Sequence, residues 1–120
     1  MTLAFKAKFV GCADAIDGEI LQVSFDTKSD GEDEDERRTP YVLISRNFEF
    51  PDPATIEWHD GNDYDGGAMI LSMVLARDRV VIKLGRDLDI EVALSIGDRR
   101  FSELGSYLRK MLDDGVFVAG

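Results

Sequence analysis

Residues 58–67 read WHDGNDYDGG, with three aspartates, an asparagine, a histidine and three glycines in ten positions. Side chains of these types could ligate a cation, activate a nucleophile, form a binding surface, or turn the chain sharply between two strands. Each use demands its own spacing. A calcium loop of the EF-hand type takes acidic ligands at its first, third and fifth positions, glycine at the sixth and glutamate at the twelfth. Setting Asp63 and Asp65 at three and five puts Gly66 at six, but leaves Gly61 at one and Ser72 at twelve. Two ligands are then missing, and no helical pattern precedes the loop. Zinc fits less well. His59 is the one histidine and Cys12 the one cysteine, whereas structural zinc sites draw on several such ligands.

Catalysis finds no better footing. A Ser-His-Asp arrangement would have to use His59, and no serine stands in a G-x-S-x-G elbow. Paired carboxylates of the glycosidase kind stay open, but acids are so plentiful that nothing singles out a pair. GDRRFSELG has its glycines at the wrong spacing for a phosphate loop. The expectation is a protein with no catalytic residue, no metal ligand and no cofactor.

The turn reading is stronger. Asp60-Gly61, Asn62 and Gly66-Gly67 are turn residues between two apolar runs. A bare turn leaves Trp58 and Tyr64 without a reason. Aromatic rings beside carboxylates suit a protein interface, where such anchors contribute most of the energy. Trp58, inside a strand pattern, is assigned to the core and Tyr64 to the surface. The candidate partner-binding residues are Glu57, Asp60, Asn62, Asp63, Tyr64 and Asp65.

The elements that must hold this loop follow from hydrophobic period. LAFKAKFV alternates, with Leu3, Phe5, Ala7 and Phe9 opposite Lys6 and Lys8, and reads as one half-buried strand. EILQVSF repeats the pattern after Asp17-Gly18, which can supply a tight turn. YVLIS is apolar on both faces and reads as a central strand. TIEWH, AMILSMVLA, RVVIKL and LDIEVALSI complete the series. AMILSMVLA could be a buried helix by period alone, but its length and the glycines before it favour a strand. Phe101, Leu104, Leu108, Met111 and Leu112 form one apolar stripe at helical spacing, predicting a helix over 99–112. Asp98 is its expected N-cap and Gly115 its expected C′ residue, while Gly105 within it would permit close approach to the sheet. The expected fold is α+β: a largely antiparallel sheet of about seven strands with one C-terminal helix packed on one face. Residues 1–120 form a single domain, and 26–39 an acidic mobile loop.

The net charge of −10 comes from 24 acids against 14 bases, so phosphate backbones and anionic lipid are repelled. Nucleic-acid and membrane partners are therefore not expected. No Lys or Arg occurs between Arg46 and Arg77, and that gap holds Glu49, Asp52, Glu57, Asp60, Asp63 and Asp65. A basic protein partner fits this surface; so does an acidic surface that only keeps the protein soluble. Cys12 reads as a small apolar residue with no disulfide partner. No segment reads as a signal peptide or a membrane span, which makes the cytoplasm the expected compartment.

Four stretches, taken in order, resemble a known family. YVLISR is followed by IEWHDGNDYDGGAMI, then by LARDRVVIKL with its arginine-aspartate turn, then by FSELGSYLRKML after an alternating strand. From about Tyr41 to Leu112 this order and spacing resemble the immunity protein 10 family of bacterial polymorphic toxin systems. The chain departs from the family pattern at Gly61-Asn62, where glutamine more often follows the aspartate, and in the acidic insertion at 29–36. The resemblance implies a cytoplasmic antitoxin that binds and blocks a cognate toxin domain by steric and electrostatic occlusion. Many such toxins attack nucleic acid and are basic. Two other readings stand beside it: an orphan enzyme or cation-binding domain using the Asp60–Asp65 loop, and a self-associating structural domain.

Overall fold

A computed structural model describes residues 2–27 and 39–119. The acidic loop expected at 26–39 thus lies, over 28–38, outside the described residues. Among the described residues there are ten strands and one helix: β1 (Thr2–Lys6), β2 (Phe9–Ala15), β3 (Ile20–Asp26), β4 (Tyr41–Asn47), β5 (Thr55–His59), β6 (Tyr64–Gly66), β7 (Ile70–Ala76), β8 (Arg79–Leu84), β9 (Leu88–Ala93), α1 (Asp98–Met111) and β10 (Phe117–Ala119). The α+β class is as expected. The strands, however, form two five-stranded sheets rather than one sheet of about seven.

The first sheet runs β1-β9-β8-β7-β10, with parallel pairs at its two margins and antiparallel pairs within. The second is a continuous antiparallel meander, β2-β3-β4-β5-β6. Three strands account for the difference in count. LAFKAKFV splits in two where its alternation loses a step: Ala7 is buried, Phe9 is exposed and Val10 is buried again. At that step the chain changes sheets. The Ala7 N–H donates to Ala93 O in the first sheet (3.0 Å), and the Lys8 N–H donates to Asp26 O in the second (2.8 Å). Residues 64–66, read from sequence as part of a loop, pair with β5. Phe117–Ala119 is too short to announce itself by period and pairs with β7.

The apolar face of each sheet turns inward onto one core. Val23, Phe25, Val42, Ile44 and Trp58 meet it from the second sheet; Met73, Val80, Ile82, Ile90 and Val92 meet it from the first. The helix packs against β2 and β3 of the second sheet and β10 of the first, so it touches both sheets instead of lying on one face. Leu104, Leu108 and Met111 are fully buried, whereas Phe101 is only partly buried and carries the Arg77 guanidinium over its ring at 4.9 Å. Burial of each such leucine removes enough apolar surface to contribute about 2 kcal/mol. Both expected caps differ. Gly97 is the N-cap, and Asp98 pairs with Arg77 at 2.9 Å. Leu112 is the C-cap; Gly115, with φ +87°, belongs to the following turn, in which the Val116 N–H donates to Asp113 O. Among the described residues no helix is long and apolar enough to cross a membrane.

Candidate functional site

The Trp58–Gly67 stretch is the β5–β6 hairpin at the margin of the second sheet. Ile56 and Trp58 point into the core and fix its register. The turn is held by a side chain. Asp60 Oδ1 accepts from the Asn62 N–H at 2.8 Å and from the Asp63 N–H at 2.7 Å, while the Asp60 N–H donates to Asp63 O at 3.1 Å. Gly61 takes φ +101°, a conformation that strains residues with a Cβ. Hydrogen bonds from the Asp63 and Asn62 amides hold the Asp60 carboxyl below its ordinary value, because they stabilise its charged form.

His59 belongs to the scaffold. It is nearly buried, its Nδ1 accepts from the Gly61 N–H at 3.0 Å, and its ring stacks on Tyr41 at 5.9 Å between centroids. One imidazole nitrogen, Nδ1, is thus engaged by the turn.

The outer rim is polar and aromatic. Tyr64 is 60% exposed, and its hydroxyl donates to Glu57 Oε2 at 2.6 Å. That hydrogen bond is the main cause of the upward shift of the Tyr64 phenol, since the neighbouring carboxylate opposes a second negative charge. Asp65 lies beside Arg86, with 3.4 Å between the charged atoms, and Arg86 also covers the Trp58 ring at 5.4 Å. The β6 edge is closed at Gly66. The Gly67 N–H donates to Ile56 O, and the alternation of an antiparallel ladder turns the Gly66 amide and carbonyl outward. The Gly66 N–H then donates to Asp65 Oδ1 at 2.7 Å, and Gly66 O accepts from Arg86 Nη2 at 3.3 Å. A further strand finds little to pair with at Gly66. A Cβ at 66 would stand 3.1 Å from Glu57 Cβ and 3.2 Å from Ile56 O, so a side chain there requires β5 to give by a few tenths of an ångström.

All six candidate residues therefore sit on one hairpin, in three different situations. Asp60 binds the turn backbone, and Asp65 binds the Gly66 amide and Arg86. Glu57 and Tyr64 bind each other. Asn62 and Asp63 are exposed, and neither side chain has a partner among the described residues. Sequence reasoning missed Arg86 and Tyr41. Arg86 lies 21 residues from Asp65 and fills the gap that holds no Lys or Arg along the chain; no local pattern could reveal it. Among the described residues no three His, Cys, Asp or Glu side chains are placed to hold a metal ion.

Shallow clefts flank the hairpin on both sides. One, of about 590 Å³, is bordered by Gln22, Leu43, Glu57 and Tyr64; the other, of about 350 Å³, by Trp58, Asp63, Arg86 and Leu88. The arrangement can present a rigid, acidic, aromatic ridge to a cationic surface. No protein-family model matches the chain, and no curated protein matches it.

Proposed function

We propose that the protein is an immunity protein, binding a basic toxin domain and blocking it without turnover. The reading rests on the resemblance in the order of its motifs and on one structural observation. Tyr64 and Asp63 project from a hairpin that its own side chains hold rigid, so the ridge is ordered before any partner arrives. Preordering of this kind lowers the entropy cost of association. Acidic groups around an aromatic anchor suit a cationic partner, steering its approach and excluding its own substrate.

The test uses the product of a toxin gene adjoining the gene for this chain. Asp63→Lys reverses a charge that no other described residue uses. The expected result is a slower association at low salt, with a difference that shrinks as salt rises. Tyr64→Ala should speed dissociation. Unchanged rates in both variants, with unchanged protection of cells, would remove the hairpin from the interface.

A second reading has its own observation. Val74 on β7 and Val118 on β10 are register neighbours, and both are exposed, as are Met69 and Leu71 nearby. An apolar margin of this kind suits self-association. Sedimentation of wild type and Val118→Lys separates the readings: a dimer that the lysine dissociates supports the second.

A further inference from the structure

The helix ends on a cleft that none of the six candidate partner-binding residues borders. Its volume is about 360 Å³, at the lower end of the ~300–1,000 Å³ range of small-molecule sites. Its walls come from three places: Ala54 in the β4–β5 connection, Ala68 and Ile70 in the β6–β7 link, and Leu112 and Val116 at the helix end and the turn after it. These walls are apolar. The charges at its mouth are not balanced in sign. Asp52 and Asp113 both border it.

The C-terminal end of a helix carries partial negative charge from carbonyls that lack amide partners. Here Met111, Leu112 and Asp113 line the cleft, so that end of the helix opens onto it. A carboxylate at this end of a helix is unfavourable, yet the chain places Asp113 and Asp114 there. Arg46 answers part of this charge, with its Nη1 donating to Met111 O at 2.8 Å and to Asp113 Oδ1 at 3.2 Å. Arg109 and Lys110 lie in the last turn, but Arg109 is engaged over the Phe117 ring and neither residue lines the cleft. Asp52 has no hydrogen bond or ion pair among the described residues.

We infer that this cleft is a binding site for a small amphiphilic organic cation: an apolar body the size of one aromatic ring, carrying a primary ammonium or a guanidinium group. The ring would occupy the space between Ala54, Ala68, Ile70 and Val116. The cation would sit at the mouth, toward the unpaired Asp52, with Asp113, already paired with Arg46, beyond it. An anion of the same shape would meet the Asp52 carboxylate with the wrong sign. The cleft shares Thr55 and Gly67 with the hairpin but none of the six candidate partner-binding residues, so this site stands whether or not a toxin binds.

The experiment compares three probes of one shape: phenethylamine, 2-phenylethanol and phenylacetate. Amide resonances of Ile70, Leu112 and Val116 are followed in the intact protein. Saturable shifts are expected with millimolar phenethylamine, weaker ones with the alcohol, and the weakest with phenylacetate. Asp52→Asn, an exposed substitution that leaves the core alone, should weaken the amine about threefold while leaving the alcohol unchanged, as befits one solvent-exposed charge pair. Ala68→Phe should fill the space and abolish all three responses. Equal binding of amine and alcohol would make the cleft a plain apolar socket and overturn the assignment. Equal or tighter binding of phenylacetate, or no saturable shift with any probe, would overturn it as well.

Discussion

The helix interface and the β5–β6 hairpin are built on opposite terms. Leu104, Leu108 and Met111 have no exposed surface and make the helix part of the core. The hairpin buries Ile56 and Trp58 but spends Glu57, Asp60, Tyr64 and Asp65 on hydrogen bonds within itself. One region holds the fold by excluded water, the other holds its own shape by directed polar contacts. Stability and recognition are thereby assigned to different residues, and substitutions should separate them. Leu108→Ala should lose about 2–5 kcal/mol in urea unfolding, as buried leucines do, with no change in encounter with a partner. A loss below about 0.5 kcal/mol would break the comparison, since the stripe would then not be core.

Smaller changes sharpen it. Gly105 lies in the middle of the buried helix face, and the close approach expected of it is not needed. A Cβ there would meet Leu75 Cδ2 at 3.7 Å, an ordinary contact. Gly105→Ala should therefore stabilise the protein by about 1 kcal/mol through helix propensity alone, read as a raised urea midpoint. A lowered midpoint would show that the face is packed more tightly than these distances allow. On the hairpin, Arg86→Ala removes a half-exposed cation from the Trp58 ring and from Asp65. The expected cost is about 0.5–1 kcal/mol, accompanied by a change in Trp58 fluorescence.

Much of this fold was legible because its signals are local. Alternation in LDIEVA and in ILQVSF located β9 and β3, and the stripe at 104, 108 and 111 located the helix to within a residue at each end. The division into two sheets was not legible. It depends on a one-residue slip at Ala7–Lys8, and an alternation count tolerates one irregular step. β10 was invisible because three residues cannot establish a period. At the candidate site, the turn and the placement of Trp58 inside and Tyr64 outside followed from residue type. The division of the acids did not. Asp60 and Asp63 look alike in sequence, yet one accepts two backbone amides and the other faces solvent. Asp65 meets its cation only because the first sheet's β8–β9 turn brings Arg86 across.

Cys12 offers a sensitive check that the helix is seated. Burial first, and then the Glu103 carboxylate, push its thiol up to about 11. The thiol is therefore protonated at neutral pH and a poor nucleophile. Alkylation of the native protein should be slow, and Leu108→Ala should speed it by loosening the helix above Cys12. An unchanged rate in that variant would uncouple the thiol from the helix.

The smallest expected effect belongs to Asp60, and its sign follows from the turn. The carboxylate accepts two amide hydrogen bonds in the folded chain, and its folded value lies below the ordinary 3.8. A group with a depressed folded value contributes stability above its unfolded value and loses it as pH falls through the folded one. Wild type should therefore melt at a higher temperature than Asp60→Ala at neutral pH. The difference should hold down to a pH near 3.8 and then shrink as the carboxylate takes up its proton. Asp60→Asn keeps an oxygen acceptor without the charge, so its offset from wild type should be smaller and should fade over the same interval. If the wild-type advantage over alanine persists undiminished at pH ~2, where carboxylates are largely protonated, the staple does not depend on charge, and the neutral carboxyl holds the two amides as well as the carboxylate does.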